Sequence, residues 1–242
     1  MIPCRILEWD SSFFRRRIAS FTAVPEDRTA FDRAIEWLRS EKVDCVYLRS
    51  DVEDLATRRM AEDRGFRLVD LRVTYAMDLA SVEPSPARGP DDAVRLARRE
   101  DVPELRALAA ASHTNTRFWS DERFAREDCA ELYAIWIEKS VQGNANVVFV
   151  GEHEGRVAGY FTCLLKPDKV GEVGLVAVAP VARGRGLARV LTDHAIGWFR
   201  ERGCARVIVA TQGSNVPGRR LYENMGFRSS ALELWHHGWL DR

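Results

Sequence analysis

Val176-Ala-Val-Ala-Pro180-Val-Ala-Arg183-Gly184-Arg185-Gly186-Leu187-Ala188 is the stretch that decides the fold. An apolar run of strand composition stops at Pro180. Two closely spaced glycines then make a turn. Leu187, Leu191, His194 and Trp198 follow near helical spacing and predict a helix. A strand feeding a helix through such a turn leaves the first helical N–H groups unbonded and the positive dipole end exposed. That end is suited to an anion. Gly184 and Gly186 let the backbone approach it, and Ala188 is too small to obstruct it. Two glycines alone do not separate an anion cradle from an ordinary connection.

A second segment lies about thirty residues on: Asn215-Val-Pro-Gly-Arg-Arg-Leu-Tyr222-Glu-Asn-Met-Gly226-Phe227. The turn, read as Arg-x-x-Gly-x-Ala over 183–188, resembles the pyrophosphate-binding turn of the GNAT family, the acyl-coenzyme A-dependent N-acyltransferases. The later segment resembles that family's Asn…Leu-Tyr-Glu…Gly-Phe stretch. Order and separation match as well.

The resemblance implies an α/β (α+β) fold, a mixed, splayed sheet with helices on both faces. It implies acetyl-coenzyme A as co-substrate. Backbone near Val176, Ala177 and Val178 is then expected to hold the pantetheine arm as an added strand. The amides of Arg183, Gly184, Arg185, Gly186, Leu187 and Ala188 are expected to hold the pyrophosphate, with Arg219 nearby. Transfer from a thioester to an amine needs an unprotonated amine, a hydrogen-bond donor for the tetrahedral intermediate and a proton for the thiolate. Tyr222 stands where many members place a tyrosine near the sulfur, and a phenol of pKa about 10 suits that acid role. Asn215 reads first as a helix cap, with a pantetheine contact also open to it.

Asp70 and Glu172 are the candidates for general base. Leu7-Glu-Trp9-Asp-Ser-Ser-Phe13-Phe14, Gly65-Phe66-Arg-Leu-Val-Asp70, Arg117-Phe118 and Leu132-Tyr133-Ala-Ile-Trp136-Ile137-Glu138 resemble the dTDP-fucosamine acetyltransferase group of the same family. That group acetylates a nucleotide-linked amino sugar and carries an acid at the position of Asp70. The resemblance therefore favours Asp70 and marks Arg117, Phe118 and Trp136 as acceptor contacts. The segment Thr114–Phe124 interleaves aromatics with arginines, which suits stacking a ring and pairing a diphosphate, or packing against the N-terminal unit. The likeness departs at Arg15-Arg16-Arg17, where a glycine-containing turn is expected.

Pro, Ser and charge concentrate in Ala80–Asp92, which predicts a linker over 81–92 between a partial GNAT-like unit (1–80) and a catalytic unit (93–242). The two units share an internal repeat. Ala34-Ile-Glu-Trp37 and Ala195-Ile-Gly-Trp198 lie 161 residues apart, as do Val46-Tyr-Leu48 and Val207-Ile-Val209, and Arg58–Phe66 and Arg219–Phe227. At this offset the glycine turn falls on Thr22–Asp27, with no glycine and two acids, and Tyr222 falls on Ala61. The first copy therefore lacks the cradle and the phenol.

In the second unit the pattern predicts strands at Val94–Leu96, Asn146–Glu152, Arg156–Leu165, Val173–Val178 and Arg206–Thr211. It predicts helices capped by Asp101, over Cys129–Val141, and capped by Asn215, then final strands through Trp235.

The 242 residues carry 36 basic and 36 acidic side chains and zero formal net charge, which gives no broad attraction to nucleic acid or membrane. Five cysteines without C-x-x-C spacing read as reduced thiols in a cytoplasmic protein. His113, His194, His236 and His237 show no metal-ligand spacing, which predicts no metal, and His194 reads as packed. A homodimer is left open. So are three functions: transfer to an amino-sugar nucleotide, transfer to another amine (amino acid, polyamine, antibiotic or protein N-terminus), and acyl-coenzyme A sensing without catalysis.

Overall fold

The computed structural model describes residues 3–81 and 94–240; nearly all of the expected linker, from residue 82 on, lies outside the described residues. The first part holds β1 (Cys4–Ile6), α1 (Glu8–Phe14), β2 (Ile18–Phe21), α2 (Arg28–Ser40), β3 (Cys45–Asp51), α3 (Leu55–Glu62) and β4 (Arg67–Asp78). The second holds β5 (Val94–Leu96), α4 (Val102–Ser112), α5 (Arg117–Ser120), α6 (Arg126–Lys139), β6 (Val147–His153), β7 (Arg156–Lys166), β8 (Val170–Val178), α7 (Leu187–Glu201), β9 (Arg206–Gln212), α8 (Val216–Asn224) and β10 (Arg228–Trp239).

All ten strands form one mixed sheet in the order β1-β2-β3-β10-β4-β9-β8-β7-β6-β5. The two parts exchange strands at its centre. β4 inserts between β10 and β9, and β10 inserts between β3 and β4. The 161-residue offset governs this arrangement. It carries β3 onto β9 and β4 onto β10 with identical bounds. The pair Arg72↔Gln212 of β4 and β9 becomes Glu233↔Asp51 of β10 and β3. Between β4 and β10, Arg72 faces Glu233, its own counterpart, and donates to it at 2.7 Å. A local two-fold axis therefore passes between these two residues.

Three cores flank the sheet. Strand alternation sends Val46 and Leu48 into one core with α2 and α3, and Tyr47 into another with α1, α4, α5 and α6. A third core packs α7 and α8 against Val207, Val209, Val73 and Phe227. The second of these contains Phe14, Ile18 and Cys45 beside Leu105, Leu132 and Tyr160, so the two parts share one interior.

Four expectations are corrected. Asp101 does not cap α4 with its side chain; the carboxylate accepts from Arg98 N and from Arg95 instead. The buried stripe of α7 runs through Leu187, Leu191, Ala195 and Phe199, with His194 and Trp198 at its margin. The chain after Gly226 is one strand to Trp239, because β10 needs its full length to pair with both β3 and β4. Arg15 takes the left-handed cap of α1 itself (φ 53°) where glycine is the usual residue, and it pairs with Asp128 at 2.6 Å. All five cysteines are free.

Candidate active site

The opening begins where two strands part. β8 pairs with β9 only from Val170↔Arg206 to Val173↔Val209, while β7 stays paired with β8 as far as Val178. A bulge marks the parting: Phe161 faces Val176 and Cys163 faces Val173, so Gly174 and Leu175 both oppose Thr162. Thr162 Oγ1 accepts from Leu175 N at 2.7 Å, and a Cβ on Gly174 would meet the same oxygen at 2.7 Å. Only glycine fits there.

The turn lies at the end of β8. Gly184 (φ 73°) and Gly186 (φ 85°) both occupy the left-handed region, and nothing lies within 4 Å of a Cβ built on either. Arg183 N is spent on Pro180 O, so the cradle starts one residue later than expected. Among the described residues the amides of Gly184, Arg185, Gly186, Leu187 and Ala188 have no acceptor. Gly186 caps α7 without a side-chain bond. Arg183 Nε donates to Val178 O (3.0 Å) and Arg185 Nε to Val181 O (3.3 Å), so both side chains brace the turn while staying exposed. Leu187 offers only its amide, its side chain being buried against Gly151 and Gly159. Val176 packs on the α7 side and Ala177 on the α6 side. Five open amides at a helix start, with room above the glycines, fit a diphosphate.

Asn215 caps α8: its Oδ1 accepts from Gly218 N (3.2 Å) and its Nδ2 donates to Thr211 (2.9 Å). Arg219 is engaged internally, with Nε on Tyr75 Oη (3.2 Å) and Nη1 on Gly213 O (3.1 Å). Tyr222 is buried between Tyr75 and Phe227, with centroids 6.0 and 5.7 Å away. Burial pushes its phenol well above the usual range, so the hydroxyl keeps its proton.

Asp70, half-buried on β4 opposite Trp235, is pushed up to about 6 by burial, against the lowering charges of Arg117 and Arg72. The Arg117 guanidinium lies 4.0 Å from the Tyr47 ring, 4.1 Å from Phe118 and 4.4 Å from Trp235. It also faces Asp10 of α1, whose carboxyl burial raises and Arg117 lowers. Phe118, expected as an acceptor contact, is 2% exposed and serves as the floor under Arg117. Trp136 lines a cleft of about 360 Å³ with Lys139, Thr162, Gly174 and Leu175. Glu172, the other base candidate, lies in the same cleft and pairs with Lys166 at 2.8 Å. Tyr133 joins the two regions: it sits 5.1 Å from Trp136, and its phenol, raised by burial to about 12, feels both Arg117 and Asp70.

Asp10, Tyr133, Asp121 and His237 are absent from the sequence-based site. Trp235, His237 and Trp239 alternate on one strand face, a period-2 signal that marks an unusual lining. Nothing local singles out Asp10. Among the described residues no group of three or more His, Cys, Asp or Glu has metal-binding geometry, and no helix is long and apolar enough to cross a membrane.

The spore coat polysaccharide biosynthesis protein SpsD of Bacillus subtilis is 24% identical over 240 residues, 96% of this chain and 81% of that protein. The dTDP-fucosamine acetyltransferase of Escherichia coli O6:H1 is 28% identical over 173 residues, 71% of each chain. A GCN5-related N-acetyltransferase structure from Sphaerobacter thermophilus superposes with a TM-score of 0.68 at 16% identity, covering 99% of this chain and 76% of that one. Residues 102–227, more than half of the chain, match the Acetyltransferase (GNAT) family; the protein belongs to that family and is an N-acetyltransferase.

Proposed function

We propose that this enzyme moves the acetyl group of acetyl-coenzyme A onto a primary amine of a small acceptor, a nucleotide-linked amino sugar. The observation that carries the reading is the parting of β8 from β9 beside five unbonded amides. A strand-like gap next to an anion cradle suits a pantetheine arm ending in a diphosphate. When bound, acetyl-coenzyme A supplies an acyl carbon already activated by its thioester. The amides of Gly184 to Ala188 hold the pyrophosphate, and backbone near Val176, Ala177 and Val178 aligns the arm.

The acceptor approaches from the side of Asp70, Arg117, Tyr133 and Trp136. With its pKa at about 6, Asp70 is ionised at neutral pH and takes a proton from the amine. Tyr222 Oη holds a proton for the departing sulfur. Residues 1–80 form a degenerate copy that lends Asp70, and residues 93–242 hold the coenzyme. The names of the two relatives support a sugar acceptor, as do the Trp136 ring and the Lys139 and Lys166 cations lining the cleft.

A thiol-release assay with acetyl-coenzyme A tests this against nucleotide-linked amino sugars, free amino sugars, amino acids and polyamines. The expected result is a kcat/KM for nucleotide-linked sugars at least about tenfold above every other class. Coenzyme binding without thiol release from any amine would overturn it in favour of a sensor.

A further inference from the structure

The Arg117 guanidinium is gripped from behind as well as from below. Its Nη1 donates to His237 Nε2 at 3.0 Å. Arginine has no acceptor, so Nε2 must carry a lone pair and the ring proton must sit on Nδ1. Nδ1 then donates to Asp121 Oδ2 at 2.7 Å. The same oxygen accepts from Trp239 Nε1 (2.9 Å), and Oδ1 accepts from Arg123 N (3.1 Å). His237 is fully buried; burial, together with the Arg117 charge, holds its pKa down at about 4 despite Asp121. It is neutral across the working pH range. Burial works to raise the Asp121 carboxyl, and the bonds from His237 and Trp239 outweigh it, so that carboxyl stays ionised.

We propose that Asp121 and His237 form a positioning pair that fixes Arg117 beside Asp70, and through Arg117 governs when Asp70 can take the acceptor's proton. The proposal rests on the reading of Asp70 as the base. The pair gives the guanidinium a directional acceptor at His237 Nε2, whereas Asp10 and Asp70 attract it through charge and the rings through their faces. The groups facing Arg117 are Asp10 on α1, Cys45 and Tyr47 on β3, Asp70 on β4, Tyr133 on α6 and His237 on β10. Asp70 also faces Arg72, which Glu233 holds. Burial keeps both phenols and the Cys45 thiol neutral, so Asp10 and Asp70 are the groups that titrate against Arg117. Arg117 lowers the pKa of Asp70; a displaced Arg117 lets it rise, which moves the acid limb of kcat/KM to higher pH.

The experiment is a kcat/KM profile from pH 5 to 9 for wild type, His237→Leu, His237→Gln, Asp121→Asn, Asp10→Asn and Asp70→Asn. The amide oxygen of Gln replaces Nε2 as acceptor; Leu does not. His237→Leu is expected to lose about fivefold more at pH 6 than at pH 9. His237→Gln is expected to restore the wild-type profile, and Asp10→Asn to keep the acid limb. Should the leucine variant fail to fold, Asp121→Asn, which removes no volume, is expected to shift the limb the same way. Unshifted limbs in His237→Leu and Asp121→Asn, with Asp70→Asn inactive, would overturn the positioning role alone. Loss of the limb in Asp10→Asn would overturn it by naming another titrating group. Full activity in Asp70→Asn would overturn the base assignment and this proposal together.

Discussion

In the first half of the molecule the helix after the strand is capped by Asp27, whose carboxylate accepts from Ala30 N at 2.7 Å. In the second half the equivalent helix is capped by Gly186, which has no side chain to offer. Around this point the halves agree closely. β3 and β9, and β4 and β10, have bounds that differ by the same 161 residues, and their pairings share one register. Phe66 and Phe227 are both buried after their helices, while buried Ala61 stands where the second half has Tyr222. Strand pairing depends on backbone and on period-2 alternation, and it tolerates many sequences. An anion site depends on a few residues at one helix start. The first half satisfies its own helix end, and the second leaves its first amides unbonded.

The sharpest way to break this contrast is to transplant the first half's solution. Gly186→Asp puts a carboxylate where the diphosphate should sit, and affinity for acetyl-coenzyme A should fall about hundredfold, about 2.8 kcal/mol. Titration calorimetry reads it. Tyr222→Phe removes only the hydroxyl that Ala61 already lacks, and kcat should fall roughly a hundredfold with the melting temperature unchanged. An unchanged kcat would remove the acid role.

Asp70 sharpens the comparison from the stability side. Its pKa rises from 3.8 to about 6 in the fold, so folding favours the protonated form. The stability linked to that proton is present below about pH 4 and is lost as pH rises through 6. Asp70→Asn should therefore melt above the wild type at pH 8 and level with it at pH 4, while losing activity. The smallest effect concerns the first half alone. Asp27→Ala should cost about 1 kcal/mol of stability, measured by urea denaturation, and leave turnover intact.

The turn at 183–188, the Tyr222 helix and the repeat are legible because each is local or is a fixed offset between local patterns. The strand exchange is not: the pairing of β4 with β9 rather than β3 is a long-range choice that no local pattern encodes. The same limit hides the Arg117 box. Tyr47, Arg117, Asp121 and His237 come from β3, α5, the turn after it and β10, and only the fold unites them. The burial of Phe118 is equally hidden, because exposed and buried aromatics look alike on a four-residue helix. The bulge at Gly174 had one sign, a glycine inside a strand.

The central claim is that one helix end of the two takes the diphosphate. Calorimetric titration of acetyl-coenzyme A into wild type and Gly186→Asp tests it most directly. The account predicts uptake of one molecule per chain by the wild type and little or none by the variant. No uptake by the wild type, two sites per chain, or equal uptake by both proteins would contradict it.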